Sequence, residues 1–335
     1  MLHVLTIGSN TNRRAMILLR GDDPGAVSGS LAKASAADAC IPPSCRRWFG
    51  YQCFSRAGRT IAIALTAVVA TNVSRAQSGF VEVNGGRLYY EVAGKGHPVV
   101  LIHGGQLDSR MWDDQFARYA RSARVIRYDV RGFGKSPAAS GMYADEEDLA
   151  GLLRTLKIEK ASIVGLSLGG RIAIDLALSH PDLVDALVLV APGLSGFHFS
   201  GDPNDAESIR AAQAGDWEAV THYWLMSGYM APAMANPKIA PRIHELALEN
   251  AHEDMDNPFL ERPLYPAAID RLPSIHVPTL IVVGNRDVAD IHEICGLLYA
   301  RIPGAKQVII DGAGHMVNME KPEEFDRAVL PFLGQ

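Results

Sequence analysis

The sequence has few cysteines, no excess of basic charge and no apolar run long enough for a membrane span. Four cysteines in 335 residues, unevenly placed, match neither a metal-ligand spacing nor a disulfide framework. A net charge of −5 provides no electrostatic attraction for nucleic acid. The apolar run at residues 60–70 is shorter than the ~20 residues that cross a bilayer comfortably. We therefore expect no metal, no organic cofactor, no nucleic-acid partner and no stable membrane insertion.

What remains is the composition of a soluble globular protein. Hydrophobic residues make up 48% of the chain and charged residues 21%. The length suits one large α/β domain or two smaller ones. Cys295 lies in a helix-patterned segment, where a free cysteine behaves as a small buried hydrophobe. Nothing in the sequence indicates an oligomeric state.

Residues 1–78 form a leader that lacks the regular pattern of the rest of the chain. Within it, residues 56–76 combine a basic flank, a short apolar run and a small-residue exit, which is typical of a secretory signal cleaved after Ala76. Arg46 and Arg47 resemble a twin-arginine export motif. This interpretation predicts an exported protein, periplasmic or secreted. The alternative is an uncleaved, disordered leader or a short anchor, and without a signal the protein would be cytoplasmic.

From Phe80 onwards, strand patterns alternate with helix patterns, which predicts an α/β fold with a mostly parallel eight-stranded sheet flanked by helices. Asn84, Gly85 and Gly86 lie in the turn of a predicted hairpin. Right-handed crossovers place the carboxyl ends of the parallel strands at one edge, where active sites form. The predicted strands are residues 80–83, 87–92, 98–102, 124–128, 162–164, 186–190, 279–283 and 307–310.

The alternation breaks at residues 193–278, which contain helix patterns but no convincing strand. We expect residues 79–192 and 279–335 to form the core, with residues 193–278 as a helical lid inserted after the sixth strand. Met and aromatic residues are frequent in this insertion. They would either pack the lid onto the core or line an apolar substrate pocket. For the second role we select Trp224, Tyr229 and Met230.

A serine stands between two glycines at residues 165–169, directly after a strand pattern and directly before a helix pattern. This context is typical of a nucleophile elbow, a tight turn that raises a serine above the end of a sheet. Gly165 and Gly169 would let the chain reverse, and Ser167 would be the nucleophile. The same spacing occurs in ordinary turns, so the prediction depends on the flanking strand and helix.

A serine hydroxyl needs a general base, and His315 is best placed among the eleven histidines. It follows the last predicted strand through a glycine-rich loop, at the edge where Ser167 is expected. The base in turn needs a carboxylate to hold its tautomer. Asp287 follows the preceding strand and is the candidate that we favour, with Asp290 in the same loop as the alternative.

Two backbone amides would have to stabilise an oxyanion. One belongs to Leu168, directly after the predicted nucleophile. The other is assigned to Gly105, in the loop after the third strand, with Gln106 as the alternative donor and a substrate contact. His103 is expected to shape this loop, and Asp129 to order the loop that follows the fourth strand.

Together these segments resemble the α/β-hydrolase superfamily, in family order, from about Phe80 to the C-terminus. The resemblance implies the α/β-hydrolase fold and the catalytic order Ser167, Asp287, His315. The core is similar to 3-oxoadipate enol-lactonases, carboxylesterases and cofactor-free haloperoxidases, which implies hydrolysis of a small-molecule ester or lactone through an acyl-enzyme. The matching segments are Trp112 and residues 103–105, 129–136, 165–170, 284–287 and 312–315.

Two other functions are compatible with these motifs. The first is carbon–carbon bond hydrolysis of a ring-cleavage product by the same triad, with Arg210 or Arg242 binding a substrate carboxylate. The second is a ligand-binding protein that kept the fold and lost turnover, although no member of the predicted triad or of the donor pair is missing.

Overall fold

The computed structural model describes residues 17–19, 76–252 and 260–334. One nine-stranded sheet runs through them. Its strands, in chain order, are β1 (Ile17–Leu19), β2 (Gln77–Val83), β3 (Gly86–Gly94), β4 (Pro98–Ile102), β5 (Arg124–Tyr128), β6 (Ala161–Leu166), β7 (Val184–Val190), β8 (Thr279–Gly284) and β9 (Lys306–Ile310).

The strand order is β1-β9-β8-β7-β6-β4-β5-β3-β2. Strands β5, β4, β6, β7, β8 and β9 are parallel, while β3 is antiparallel to both β2 and β5. The predicted mostly parallel sheet of eight strands, β2 to β9, is thereby confirmed. The additional strand β1 pairs in parallel with β9, and its three residues are too few to produce a recognisable alternation.

The helices cover both faces of this sheet because its central strands bury side chains on both sides. Val99 and Leu101 belong to one buried cluster, and Val100 and Ile102 belong to the other. The helices are α1 (Asp113–Tyr119), α2 (Asp145–Thr155), α3 (Leu168–Ser179), α4 (Asp205–Ala214), α5 (Trp217–Leu225), α6 (Ala231–Met234), α7 (Ala240–Asn250), α8 (Ala268–Arg271), α9 (Ala289–Arg301), α10 (Val317–Glu320) and α11 (Pro322–Val329).

The predicted hairpin connects β2 to β3 through a two-residue turn. Asn84 and Gly85 have φ values of 47° and 72°, the left-handed conformation that a tight hairpin turn requires at both positions. Val83 pairs with Gly86 across the turn. Cys295 is fully buried in α9, as predicted.

Helices α4 to α7 lie between β7 and β8, within the segment predicted as an insertion. Leu225, Ile243 and Leu246 are buried in the same cluster as Leu166 and Val190 of the central strands. Helices α5 and α7 are therefore packed on the core through their apolar sides, and the loop between α5 and α6 approaches the carboxyl ends of the strands.

The predicted signal at residues 56–76 lies outside the described residues except for Ala76. Of the leader as a whole, the structure describes only β1 and residues 76–78. Within the described part of the chain, none of the helices combines the length and apolar character needed to cross a bilayer.

Candidate active site

Ser167 occupies a strained turn between β6 and α3. Its φ and ψ are 53° and −111°, a conformation that non-glycine residues rarely adopt. The neighbouring glycines are required by close backbone contacts. A Cβ on Gly165 would lie 2.1 Å from the Gly169 carbonyl oxygen, and a Cβ on Gly169 would lie 2.4 Å from the Ile102 carbonyl oxygen. The sequence pattern at residues 165–169 therefore produces the elbow geometry that it predicted.

Three hydrogen bonds hold this turn against the sheet and helix. The Ser167 amide donates to the Val190 carbonyl at 3.0 Å. The Ser167 carbonyl accepts from the amides of Gly193 at 2.9 Å and Arg171 at 3.0 Å. The Ser167 backbone is thus fixed from three elements.

His315 and Asp287 form a buried pair. The His315 Nδ1 atom lies 2.9 Å from Oδ2 and 3.2 Å from Oδ1 of Asp287. The two side chains are 4% and 0% exposed. Asp290 points elsewhere, since its carboxylate accepts from the amide and the hydroxyl of Ser200 at 2.7 and 2.8 Å. Of the two predicted acids, the structure brings Asp287 to the histidine.

The loops that carry this pair are joined to each other. Asn285 donates to the Asp311 carboxylate at 2.6 Å and accepts from the Gly312 amide at 2.8 Å. The Arg286 amide donates to the Ala313 carbonyl at 2.9 Å. These contacts set the spacing between the acid and the base.

Glu320 also holds the histidine loop, a role that the sequence reasoning missed. Its carboxylate oxygens accept from the amides on either side of His315, Gly314 at 3.0 Å and Met316 at 3.1 Å. Burial is the main reason that the pKa of Glu320 is raised, and the nearby Asp287 carboxylate adds to this effect. Glu320 is the last residue of α10, and its position five residues after the histidine does not by itself indicate this role.

Ser167 and His315 line one cleft of about 180 Å³. Of the four residues predicted to bind substrate, the structure brings three to the cleft: Gln106, Trp224 and Tyr229. Met230 is not among them, because its side chain is fully buried in the apolar cluster below. The other lining residues are Gly104, Gly105 and Met316.

The predicted oxyanion donors lie beside this cleft. Leu168 is the first residue of α3, and Gly105 is in the cleft wall. Neither backbone amide donates to an acceptor within the described residues. The loop after β4 approaches the elbow closely, since a Cβ on Gly104 would lie 3.6 Å from the Ser167 Cβ. Gln106 has a φ of 54°, and its buried Oε1 atom has no partner among the described residues.

His103 stabilises the same loop from inside the protein. The Val130 amide donates to its Nε2 atom at 2.9 Å, and its Nδ1 atom lies 2.8 Å from the Gly104 carbonyl. Burial lowers the pKa of His103, so the neutral ring has one accepting and one donating nitrogen, as these contacts require. Asp129 orders the next loop by accepting from the amides of Ser109 and Lys135.

The described lining of the cleft contains no aspartate or glutamate. It contains no lysine or arginine either. Arg210 pairs with Glu207, and Arg242 pairs with Asp113 and Glu245, so neither lines the cleft. Within the described chain there is also no group of three histidine, cysteine or acidic residues arranged to hold a metal ion.

A buried ion cluster lies beneath the elbow. The Arg171 guanidinium contacts Asp145 at 2.7 Å, Glu261 at 2.6 Å and Asp175 at 3.6 Å. Burial, together with the neighbouring Glu261 carboxylate, raises the pKa of Asp145 to about 8 despite the arginine. Burial likewise raises the pKa of Asp175 to about 6. Three carboxyl groups share one guanidinium, so burial and their mutual repulsion favour proton binding in this cluster.

Comparison with known proteins places this geometry in a family. The sequence profile of the alpha/beta hydrolase family matches residues 99–328. A 2-hydroxy-6-oxononadienedioate/2-hydroxy-6-oxononatrienedioate hydrolase of Paraburkholderia phymatum is 30% identical over 79% of this chain and 98% of its own length.

Solved structures are similar over most of the chain. The enol-lactonase from Burkholderia xenovorans is 28% identical with a TM-score of 0.67, covering 77% of this chain and 100% of its own. A thermophilic esterase from Thermogutta terrifontis is 26% identical with a TM-score of 0.65, covering 77% and 98%. The chain is an enzyme of the alpha/beta hydrolase family.

Proposed function

We propose that the protein is a serine hydrolase that cleaves a carboxylic ester or a lactone through an acyl-enzyme intermediate. The observation that carries this proposal is the convergence of Ser167 and the Asp287-paired His315 on one cleft. The free amides of Gly105 and Leu168 add to it, because both lie where an oxyanion would need donors. Each such donor typically contributes ~3 kcal/mol to transition-state stabilisation.

The reaction follows from these positions. His315 Nε2 takes the Ser167 hydroxyl proton as Oγ attacks the ester carbonyl, and the Gly105 and Leu168 amides bind the oxyanion. The intermediate collapses, the bond to the alcohol oxygen breaks, and His315 returns the proton to that oxygen. A water molecule then attacks the acyl-enzyme with the same base, releasing the acid and restoring Ser167. Asp287 holds the imidazole and stabilises its protonated form.

The cleft supports a small or medium, uncharged substrate. Its volume of about 180 Å³ lies below the range of about 300–1,000 Å³ typical of drug-sized ligands. Trp224, Tyr229 and Met316 make part of the wall apolar, and Gln106 provides an amide for orientation. Trp224 and Tyr229 belong to the helical insertion, which supports the role of this segment as a lid.

The test is hydrolysis of p-nitrophenyl acetate and butyrate by wild-type protein, Ser167→Ala and the exposed-site control Ser274→Ala. We expect turnover by wild type and control, and a loss of about 10⁴-fold or more in kcat for Ser167→Ala. A fluorophosphonate should label Ser167, identified by peptide mapping. Undiminished turnover by Ser167→Ala would refute the assignment of Ser167 as the nucleophile. Tight stoichiometric binding of an ester without hydrolysis by wild type would favour the ligand-binding alternative.

Carbon–carbon bond hydrolysis is the second candidate, favoured by the 30% identity to the dioate hydrolase. The cleft argues against it. A dioate carries two carboxylates, and the described cleft wall contains no cation to bind either of them. Residues 253–259, outside the described part, contain no lysine or arginine in their sequence either. We expect kcat/KM for 2-hydroxy-6-oxononadienedioate to be well below that for p-nitrophenyl butyrate, and the reverse ranking would establish this candidate.

A further inference from the structure

A second cavity, of about 400 Å³ and open to solvent, lies next to the active-site cleft. Of the described residues that line the two spaces, Tyr229 is the one that they share. The two spaces therefore adjoin at Tyr229. The second cavity is otherwise lined by residues from three places: the loop before α4, the end of α5 with the turn that follows it, and the start of α9.

The backbone of Tyr229 is well held, whereas its side chain lies between two open spaces. Met230, the next residue, is fully buried in the apolar cluster. The preceding Gly228 donates its amide to Asp202 at 3.3 Å, and a Cβ there would lie 2.9 Å from a Val288 methyl. The Tyr229 side chain itself is half-buried, and its hydroxyl has no hydrogen-bond partner among the described residues.

The contact between the rings of Tyr229 and His315 indicates which part of a substrate the Tyr229 side chain would face. The two rings meet edge to face, with centroids 5.1 Å apart and planes at 73°. In ester cleavage the histidine returns its proton to the departing alcohol oxygen, so the alcohol portion must lie beside the imidazole. The acyl portion is held on the other side, by Ser167 and the oxyanion amides. In an ester bound this way, the ring of Tyr229 would lie against the alcohol portion.

We propose that Tyr229 is a specificity-determining residue that limits the size of the alcohol portion of the ester by closing the cleft against the second cavity. This inference rests on the proposed function, since it assigns a substrate class to the same site. The enzyme should prefer esters of compact alcohols. Loss of the tyrosine side chain would let a bulky alcohol portion extend from the cleft into the 400 Å³ cavity.

The second cavity is lined by two carboxylates, which should disfavour a substrate with an anionic alcohol portion. Asp290 accepts from the Ser200 amide and hydroxyl, and Asp202 accepts from the amides of Asn204 and Gly228. These donors are neutral, and neither carboxylate forms an ion pair with a described lysine, arginine or histidine. The cavity therefore carries uncompensated negative charge, which repels an anionic alcohol group.

The experiment compares Tyr229→Ala, Tyr229→Phe and Tyr265→Ala with wild type, using two ester series. Tyr265 is 91% exposed and serves as the matched control. In the alcohol series, butyrate is esterified with ethanol, benzyl alcohol and 2-naphthylmethanol. In the acyl series, p-nitrophenol is esterified with acetate, butyrate and hexanoate. Values of kcat/KM report acylation, the step that includes departure of the alcohol.

For Tyr229→Ala we expect the 2-naphthylmethyl-to-ethyl ratio of kcat/KM to rise about tenfold or more, as when an apolar pocket gains room. Tyr229→Phe keeps the ring and should keep the wild-type ratio, as should Tyr265→Ala. The ranking in the acyl series should not change in any variant. A Tyr229→Leu protein should show an intermediate ratio, and it replaces Tyr229→Ala if that variant does not fold.

An unchanged 2-naphthylmethyl-to-ethyl ratio of kcat/KM in soluble Tyr229→Ala and Tyr229→Leu would overturn the inference. A change in kcat/KM confined to the acyl series would also overturn it.

The charge preference is measured in Tyr229→Ala with the butyrates of 4-hydroxybenzoate and of its methyl ester. The neutral ester should gain more than the anionic one, and equal gains would refute the repulsion. Failure of the proposed function is distinguishable, because wild type would then show no Ser167-dependent turnover of any ester.

Discussion

At the scale of single residues, Asp287 and Asp290 are three positions apart in the chain, yet their carboxylates have different partners. Asp287 lies in the loop that is bonded to the histidine loop, whereas Asp290 is the second residue of α9 and faces Ser200. The sequence placed both after the same strand, so it could favour one acid but not exclude the other. The distinction depends on where α9 begins, and helix boundaries are poorly determined by sequence patterns.

Replacing Asp287 by Asn should lower kcat for p-nitrophenyl acetate by about 10⁴-fold, the loss seen when asparagine replaces the acid of a serine protease triad. Asparagine no longer stabilises the imidazolium and permits the wrong tautomer of His315. Asp290→Asn is the matched control and should cause a much smaller loss, since its partner is Ser200. Equal losses in the two variants would contradict the assignment of the acid.

Glu320→Gln should lower kcat about tenfold with little change in KM, because the histidine loop loses a charge-assisted hydrogen bond worth about 1.5–3 kcal/mol. An amide offers one acceptor oxygen where the carboxylate offered two, so one of the amides flanking His315 loses its partner. The control is Glu323→Gln, an exposed site on α11. A kcat for Glu320→Gln as close to wild type as that of Glu323→Gln would contradict this role of Glu320.

Among the larger elements, the turn between α5 and α6 shows the limit of periodicity arguments. Tyr229 and Met230 are adjacent in sequence, yet one lines the cleft and the other is fully buried. Aromatic and methionine content suggested that both face the pocket. In a turn, successive side chains follow neither the helix nor the strand period, so composition could not separate them.

The strands, the elbow and the catalytic loops were predictable because local chemistry determines them. Long apolar runs mark buried strands, and only glycine fits at Gly165 and Gly169. Glu320 was not predictable in the same way. Its function requires α10 to return against the histidine loop, a contact between backbone amides and a side chain that leaves no pattern in the sequence.

The ion cluster beneath the elbow joins α2, α3 and the segment that contains Glu261, and it should make stability depend on pH. The pKa of Asp145, about 8 in the folded protein, lies above the ordinary value of 3.8 expected on unfolding. The folded state therefore binds the proton more tightly between these values, and stability falls as the pH rises through this range.

Urea unfolding at about pH 5 and about pH 8.5 measures this effect. Between these two pH values, the free energy of unfolding of wild type should fall by at least about 1.4 kcal/mol more than that of Asp145→Asn. This difference is the equivalent of one pKa unit. The asparagine cannot ionise but can still accept from Arg171. Asp182→Asn, at an exposed position, should behave as wild type. Identical pH dependence in wild type and Asp145→Asn would contradict the raised pKa of Asp145.

At the scale of the whole molecule, the residues of the proposed site all lie between Gly104 and Glu320 in the chain.

We propose that residues 1–76 are an export leader and are dispensable for folding and catalysis. A chain beginning at Gln77 loses β1, which pairs with β9 over three residues at the sheet edge. It should remain soluble and unfold at the same temperature as the full chain, with unchanged kcat/KM. Insolubility or inactivity of the shortened chain would show that the leader is part of the working fold.

The bonds between the Asn285 loop and the Asp311 loop have a consequence for evolution of the enzyme. Asp287 and His315 lie on loops that are bonded to one another, while Trp224 and Tyr229 of the cleft lining come from the helical insertion. Substitutions in the insertion should therefore change which molecules fit the cleft without disturbing the Asp287–His315 pair. A library confined to residues 193–278 would be the economical route to new substrates.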